Sequence, residues 1–142
     1  MLYFITKYRA RPLKRHRHNT ITGHTYDPSA ADKKEWLALA LPHKPSKPLE
    51  GPLRCTVVAR IKRPKKPTHS YAKSVGDVDN IAKFFLDAMN TLFFVDDAQI
   101  VELTVRKCYS EDNEVSIMLE RADGDANAQP SSVHARKRTR RI

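Results

Sequence analysis

Asp77 and Asp79 stand two residues apart, and Asp96 and Asp97 stand side by side. They are four of the 16 acidic residues in a chain whose formal net charge is +10. Carboxylates this close repel one another unless a cation joins them. The ion that suits them is Mg2+, which prefers oxygen ligands, keeps several waters and often bridges to phosphate. A metal held by acids on a basic protein points to chemistry on a phosphate. Each pair also has a plainer reading. Asp at a helix start is a common cap, and Asp-Asp before a strand is a common turn.

The chemical reading constrains position. Inside a helix, residues two apart point about 200° away from each other. Asp77 must therefore be the N-cap, or lie just outside, for its carboxylate to converge with that of Asp79. The helix is expected over 78–92. Ile81, Ala82, Phe84, Phe85, Leu86, Ala88 and Met89 cover most of its sides, so it should be buried on most sides. Asp79, Lys83, Asp87 and Asn90 share the single polar stripe. Lys83, one turn after Asp79, reads either as a surface ion pair or as a contact to phosphate. Asp97 falls where a loop enters a strand and could join the first pair. An EF-hand is excluded, because the sixth and twelfth positions from Asp77 are Ala82 and Ala88, where Gly and Glu are needed. No glycine-rich phosphate loop and no Cys/His zinc spacing occurs.

The elements that position these groups read as follows. A first strand spans 2–8. A short turn or hairpin follows at 21–26. A helix starts after Ser29, read as its cap, and runs to about Leu41, with Trp36, Leu37, Ala40 and Leu41 on its apolar face. Pro42, Pro45, Pro48 and Pro52 make the next span an extended surface connection. A strand at 53–61 turns Leu53, Cys55, Val57, Ala59 and Ile61 to one face. Strands at 98–109 and 114–121 are joined by a short loop and are expected to form an antiparallel hairpin. The result is one small α/β (α+β) domain over 1–121, with two helices on a mixed four-stranded sheet. The tail over 122–142 is expected to be disordered and basic.

Net charge and a pI near 9.8 favour a nucleic-acid partner. Two basic segments are candidate DNA contacts. One carries Arg11, Lys14, Arg15 and Arg17; the other carries Lys62, Arg63, Lys65, Lys66 and Lys73. Tyr71, set among the second group, either stacks on exposed bases or packs its own loop. No apolar run is long enough to cross a membrane, and no signal peptide is evident, so a cytoplasmic protein is expected. Cys55 and Cys108 are expected to be reduced. No small-molecule cofactor is expected.

Taken as one pattern, three segments resemble the RusA Holliday-junction resolvases: Asp77-Val78-Asp79-Asn80-Ile81-Ala82-Lys83, Asp87-Ala88-Met89-Asn90, and Asp96-Asp97-Ala98-Gln99-Ile100-Val101. The early Arg/Pro/Lys-rich region, Gly23 with Tyr26, and the strand before the second basic segment extend the resemblance over about 2–121. It implies a homodimeric endonuclease of bacterial or phage origin. Such an enzyme resolves four-way DNA junctions by paired symmetric nicks, with Mg2+ or Mn2+ as cofactor, in recombination and repair. It further implies essential carboxylates at Asp77, Asp79 and Asp97, an essential lysine at Lys83, and a less firm part for Asp96. The competing reading is a non-catalytic, or differently specific, branched-DNA-binding protein or nuclease. The apolar side chains around Phe84, Phe85 and Phe93 read equally as a dimer core or as the core of one subunit.

Overall fold

The computed structural model describes residues 1–14, 17–18, 21, 23 and 25–123. Six strands and two α-helices alternate along them: β1 (Leu2–Thr6), β2 (Arg17–His18), β3 (Thr25–Tyr26), α1 (Ala30–Ala40), β4 (Leu53–Lys62), α2 (Val78–Met89), β5 (Ile100–Ser110) and β6 (Glu114–Arg121). Four of the strands form a mixed sheet in the order β1-β6-β4-β5, in which only the β4–β5 pair is parallel. The expected α+β architecture is thus present. Strands β2 and β3 pair with each other as a separate small hairpin.

Strict alternation decides which way β4 faces. Leu53, Cys55, Val57, Ala59 and Ile61 are buried, and the residues between them are not fully so. Both helices cover this inner face. Trp36 of α1 is fully buried, edge-on to Phe85 of α2 at 4.9 Å between ring centroids. Its indole Nε1 donates to Thr6 Oγ1 at 3.0 Å, so the polar end of the ring has a partner. Phe84, Phe85 and Phe93 are also fully buried within one subunit. They are core residues and not a dimer surface, which corrects one of the two readings above.

The expected hairpin of the last two strands does not form. β4 lies between β5 and β6, parallel to the first and antiparallel to the second. The three-residue loop 111–113 therefore steps over the end of β4. Two strand spacings amount to roughly 9.6 Å, which three extended residues can span. Asn113 Oδ1 accepts from Lys62 N at 2.8 Å, and Arg63 N donates to Ser110 O at 3.0 Å, closing the crossing. A strand with an unbroken apolar face gains most from the centre of a sheet, where neighbours on both sides bury it. The loop length alone could not distinguish this from a hairpin.

Other differences are local. Ser29 is the N-cap of α1, yet its side chain makes no capping bond. It is buried, and its Oγ accepts from Lys14 N at 2.9 Å, while Asp27 Oδ1 accepts from Ser29 N at 2.9 Å. Leu41 lies beyond α1 and is exposed, leaving Trp36 and Ala40 as the fully buried part of the helix. Helix α2 ends at Met89 rather than near Leu92, because Asn90 turns extended and Thr91 takes a positive φ of 70°. Cys55 faces the core, where burial pushes its thiol pKa up to about 12. Cys108 pairs in register with Arg60 and so points to the opposite face, which leaves both thiols free. Ala122 is buried and donates to Pro52 O at 2.9 Å. The remainder of the basic tail lies outside the described residues.

Candidate active site

Helix α2 carries the polar stripe on an otherwise apolar cylinder. Ile81, Ala82, Phe84, Phe85, Ala88 and Met89 are buried, Asp79 and Lys83 are exposed, and Asp87 and Asn90 are half-buried. Asp77 is the N-cap residue, with extended backbone at φ −76° and ψ 147° and no side-chain capping bond. It therefore lies outside the helix proper, as convergence with Asp79 requires. Neither carboxylate is consumed by the helix start: both are exposed, and the free first-turn amides lie beside them.

Gly76 sets this entry. Its φ of 107° and ψ of 170° belong to a region that side chains rarely tolerate. A Cβ there would meet Pro12 Cβ and Cγ at 2.9 Å. The Gly76 carbonyl accepts from Lys107 Nζ at 2.8 Å, a contact that runs from the inner face of β5 to the residue before Asp77. In the first turn of α2, Asn80 O accepts from Leu13 N at 3.0 Å. The first basic segment is thereby tied to the first turn of α2.

Asp96 and Asp97 are held from the other side. Asp97 N donates to Asn90 Oδ1 at 3.1 Å, at the end of the stripe. Asp96 N donates to Gln99 Oε1 at 2.8 Å, and Gln99 N to Asp96 O at 3.0 Å. The Gln99 amide also donates to Leu49 O and Gly51 O, each at 2.9 Å, which anchors the proline-rich connection beneath the turn. Partial desolvation raises the Asp97 pKa above its ordinary value. Its hydrogen-bonding contact with Asp96 and the charges of Asp96 and Asp87 act in the same direction, while Lys83 opposes them.

The side chains thus fall into two groups along one stripe. At one end Asp97 contacts Asp96 and feels the charges of Asp87 and Lys83. Asp77 and Asp79 lie toward the helix start, with Asp79 one turn, about 6 Å, before Lys83. Among the described residues, no three Asp, Glu, His or Cys side chains are close enough to share one ion. The donor set is still of the right kind for Mg2+, which commonly takes only one or two carboxylates and completes its shell with water and phosphate.

The basic candidates surround this stripe unequally. Arg11 Nε donates to the Tyr8 hydroxyl at 3.1 Å, and Arg11 lies 3.8 Å from Asp32. Lys14 approaches the same Asp32 at 3.7 Å. Both cations keep about half their side-chain surface free, at 46% and 58%. Lys62, Arg63, Lys65, Lys66 and Lys73 are exposed on the segment leading into Gly76, with Arg63 lying over the Tyr109 ring. Tyr71 is 57% exposed and stacks on His69 with centroids 5.2 Å apart. Arg15 and the Arg17 side chain lie outside the described residues.

The sequence reading assigned no partner to several contributors. Asn90, Gln99 and Lys107 orient the acidic segments, and Asp87 is paired with Lys33 of α1 at 3.7 Å. Helical spacing placed Asp87 and Asn90 on the stripe. No sequence signal links Lys107 or Lys33 to it, because both contacts cross between elements far apart in the chain.

Two comparisons bear on this arrangement. The chain is 34% identical over 110 residues to the uncharacterized protein YqaN of Bacillus subtilis (strain 168), a match covering 68% of this chain and 78% of that protein. The family described as Endodeoxyribonuclease RusA matches residues 7–120, a span that includes both acidic pairs, Lys83, both basic segments and the main sheet except β1 and the last residue of β6. The chain belongs to the RusA endodeoxyribonuclease family.

Proposed function

We propose that this chain is a Mg2+-dependent endonuclease that resolves four-way DNA junctions by paired, symmetric nicks. One observation carries the reading. The first basic segment bonds to the first turn of α2 and the second leads directly into it, where Asp77 and Asp79 stand exposed. Cations that hold phosphate backbone and acids that could hold a metal thus meet at one place.

The metal would be held by Asp77 and Asp79 at the helix start and by Asp97, with Asp96 beside it, at the turn, no more than two of these carboxylates meeting any one ion. When bound, it lowers the pKa of a water and offsets charge on the phosphate. Lys83, on the same stripe, neutralises the scissile phosphate. Asn90 and Gln99 keep the Asp96–Asp97 turn in place, so that its carboxylates need not reorganise during the reaction. Arg11, Lys14 and the cations of 62–73 grip the arms through their backbones, and Tyr71 offers a ring face to an unstacked base. Mn2+ would substitute for Mg2+.

A two-fold substrate calls for two copies. The outer face of the sheet supports that reading. It presents Tyr3 and Ile5, with half-buried Val58 and Met118 in register beside them. Much of its charge is paired, Arg54 with Glu102 and Glu120 and Lys7 with Glu114, while Arg60 and Arg106 add two further cations. On a chain of net charge +10, such a face suits a surface of its own kind better than DNA. Ile5→Glu is expected to convert the dimer to monomer in sedimentation analysis. A wild-type monomer, or an unchanged dimer, would refute this surface.

The decisive assay offers the purified protein a labelled four-way junction beside duplex, flap and single-strand controls, with Mg2+ or EDTA. Metal-dependent, symmetric incision of the junction, leaving 5′ phosphates, is expected. Binding with no incision would establish the non-catalytic reading instead, and preferred cutting of a control would reassign the substrate.

A further inference from the structure

Lys83 lies between two acids at helical spacing, Asp79 one turn before it and Asp87 one turn after. Among the described residues, Lys83 makes no hydrogen bond or ion pair, and its charge is felt at Asp97. Asp87 is engaged elsewhere. Its Oδ2 lies 3.7 Å from Lys33 Nζ, and the same Nζ lies 2.6 Å from Asp27 Oδ2. The Lys33 side chain is only 15% exposed, enclosed between α1 and α2. A cation so placed is screened less than a surface lysine and competes well for both acids.

We propose that Lys33 is a positioning residue: by holding Asp87, it keeps the acid one turn beyond Lys83 from closing on the Lys83 ammonium. The inference rests on the reading that Lys83 meets the scissile phosphate. A lysine already paired to a carboxylate must break that pair before it binds phosphate, whereas an uncommitted one does not. Lys33, shared with Asp27, also offsets part of the Asp87 charge, which would otherwise repel an incoming phosphate more strongly.

Four proteins test this: wild type, Lys33→Gln, Asp87→Asn and the double variant, with Lys33→Arg as the conservative control. Single-turnover nicking of the four-way junction in Mg2+, junction affinity in EDTA and thermal stability are measured for each. Lys33→Gln is expected to slow nicking roughly three- to tenfold, as suits a partly screened pair, and to weaken metal-free binding in step. Asp87→Asn and Lys33→Arg should stay within about twofold of wild type. The double variant should recover to the level of Asp87→Asn, and the Lys83 ammonium 15N shift should move in Lys33→Gln and return in the double. A double variant as impaired as Lys33→Gln would reduce Lys33 to a tie between helices. Loss of nicking in Asp87→Asn alone would make Asp87 part of the reaction and overturn the proposal. Wild-type protein that binds but never nicks refutes the nuclease reading separately, and the EDTA affinities still decide the role of Lys33.

Discussion

Gly76→Ala offers the sharpest link between backbone geometry and the acidic site. The residue has φ 107° and ψ 170°, and occupying that region costs a side-chain-bearing residue about 1–3 kcal/mol. The added Cβ would also lie 2.9 Å from two carbons of the Pro12 ring, which cannot rotate aside. Relieving such an overlap costs a further ~1–2 kcal/mol, and reduced freedom of the unfolded chain returns ~0.4–1 kcal/mol. The net expectation is a loss of about 2–4 kcal/mol. In a domain of this size 1 kcal/mol moves the melting temperature by roughly 4 °C, so the midpoint should fall by about 8–16 °C. Circular dichroism melts measure it. Pro12→Gly in the Gly76→Ala background should recover the steric part and leave the backbone part. Because Pro12 and Leu13 tie the first basic segment to α2, Gly76→Ala should also weaken junction binding several-fold. A midpoint within about 4 °C of wild type, with unchanged binding, would refute the close approach and the anchoring role drawn from it.

Other consequences are equally direct. Asp97→Asn should abolish Mg2+-dependent nicking while junction binding persists, as gel shifts beside the incision assay would show. The same variant should be more stable than wild type in metal-free buffer at neutral pH. A carboxylate whose folded pKa is raised favours the folded state at low pH and loses that benefit as pH rises through the raised pKa. The advantage of Asn, expected near ~1 kcal/mol at most for screened like charges, should therefore vanish in melts below the usual carboxylate range. Gln99→Ala removes the Asp96 N–H contact and the two bonds to Leu49 and Gly51. It should cost about 1–2 kcal/mol by urea titration and slow nicking with little change in binding. Trp36→Phe deletes the buried indole bond to Thr6 and part of the core volume. A loss of ~2–3 kcal/mol in the same titration is expected.

Much of the layout was legible because periodicity reports burial. The alternation along 53–61 identified β4 and its inner face. The crowding of apolar residues around one polar stripe identified α2 as a helix buried on most sides. The requirement that Asp77 lie outside the helix followed from helix geometry alone, and its extended backbone meets it. Strand order was not legible, since a three-residue loop is compatible with both a hairpin and a step across an intervening strand. Nor was the use of Ser29, whose hydroxyl serves Lys14 instead of its own helix. Local patterns report what a residue could do for its neighbours in sequence; they are silent when a partner 15 residues away competes for the same atom.

The stripe itself shows why the acidic island is not simply acidic. Every carboxylate on or beside α2 has a different degree of commitment. Asp87 is held by a nearly buried lysine from α1. Asp97 is fastened through its backbone to Asn90 while its side chain stays exposed among other acids. Asp77 and Asp79 face solvent at a helix start, where the local field favours negative charge without consuming it. A row of structural caps and turns would use these acids up in hydrogen bonds. Asp96 is used in that way, in a capping box with Gln99, but Asp77 makes no side-chain capping bond, Asp79 stands exposed, and the Asp97 amide is satisfied by Asn90. Repulsion among acids left over in this way costs stability unless something external offsets it. On the nuclease reading a divalent ion would supply part of that compensation even before substrate binds. The melting temperature of wild type, but not of Asp97→Asn, should therefore rise when Mg2+ is added.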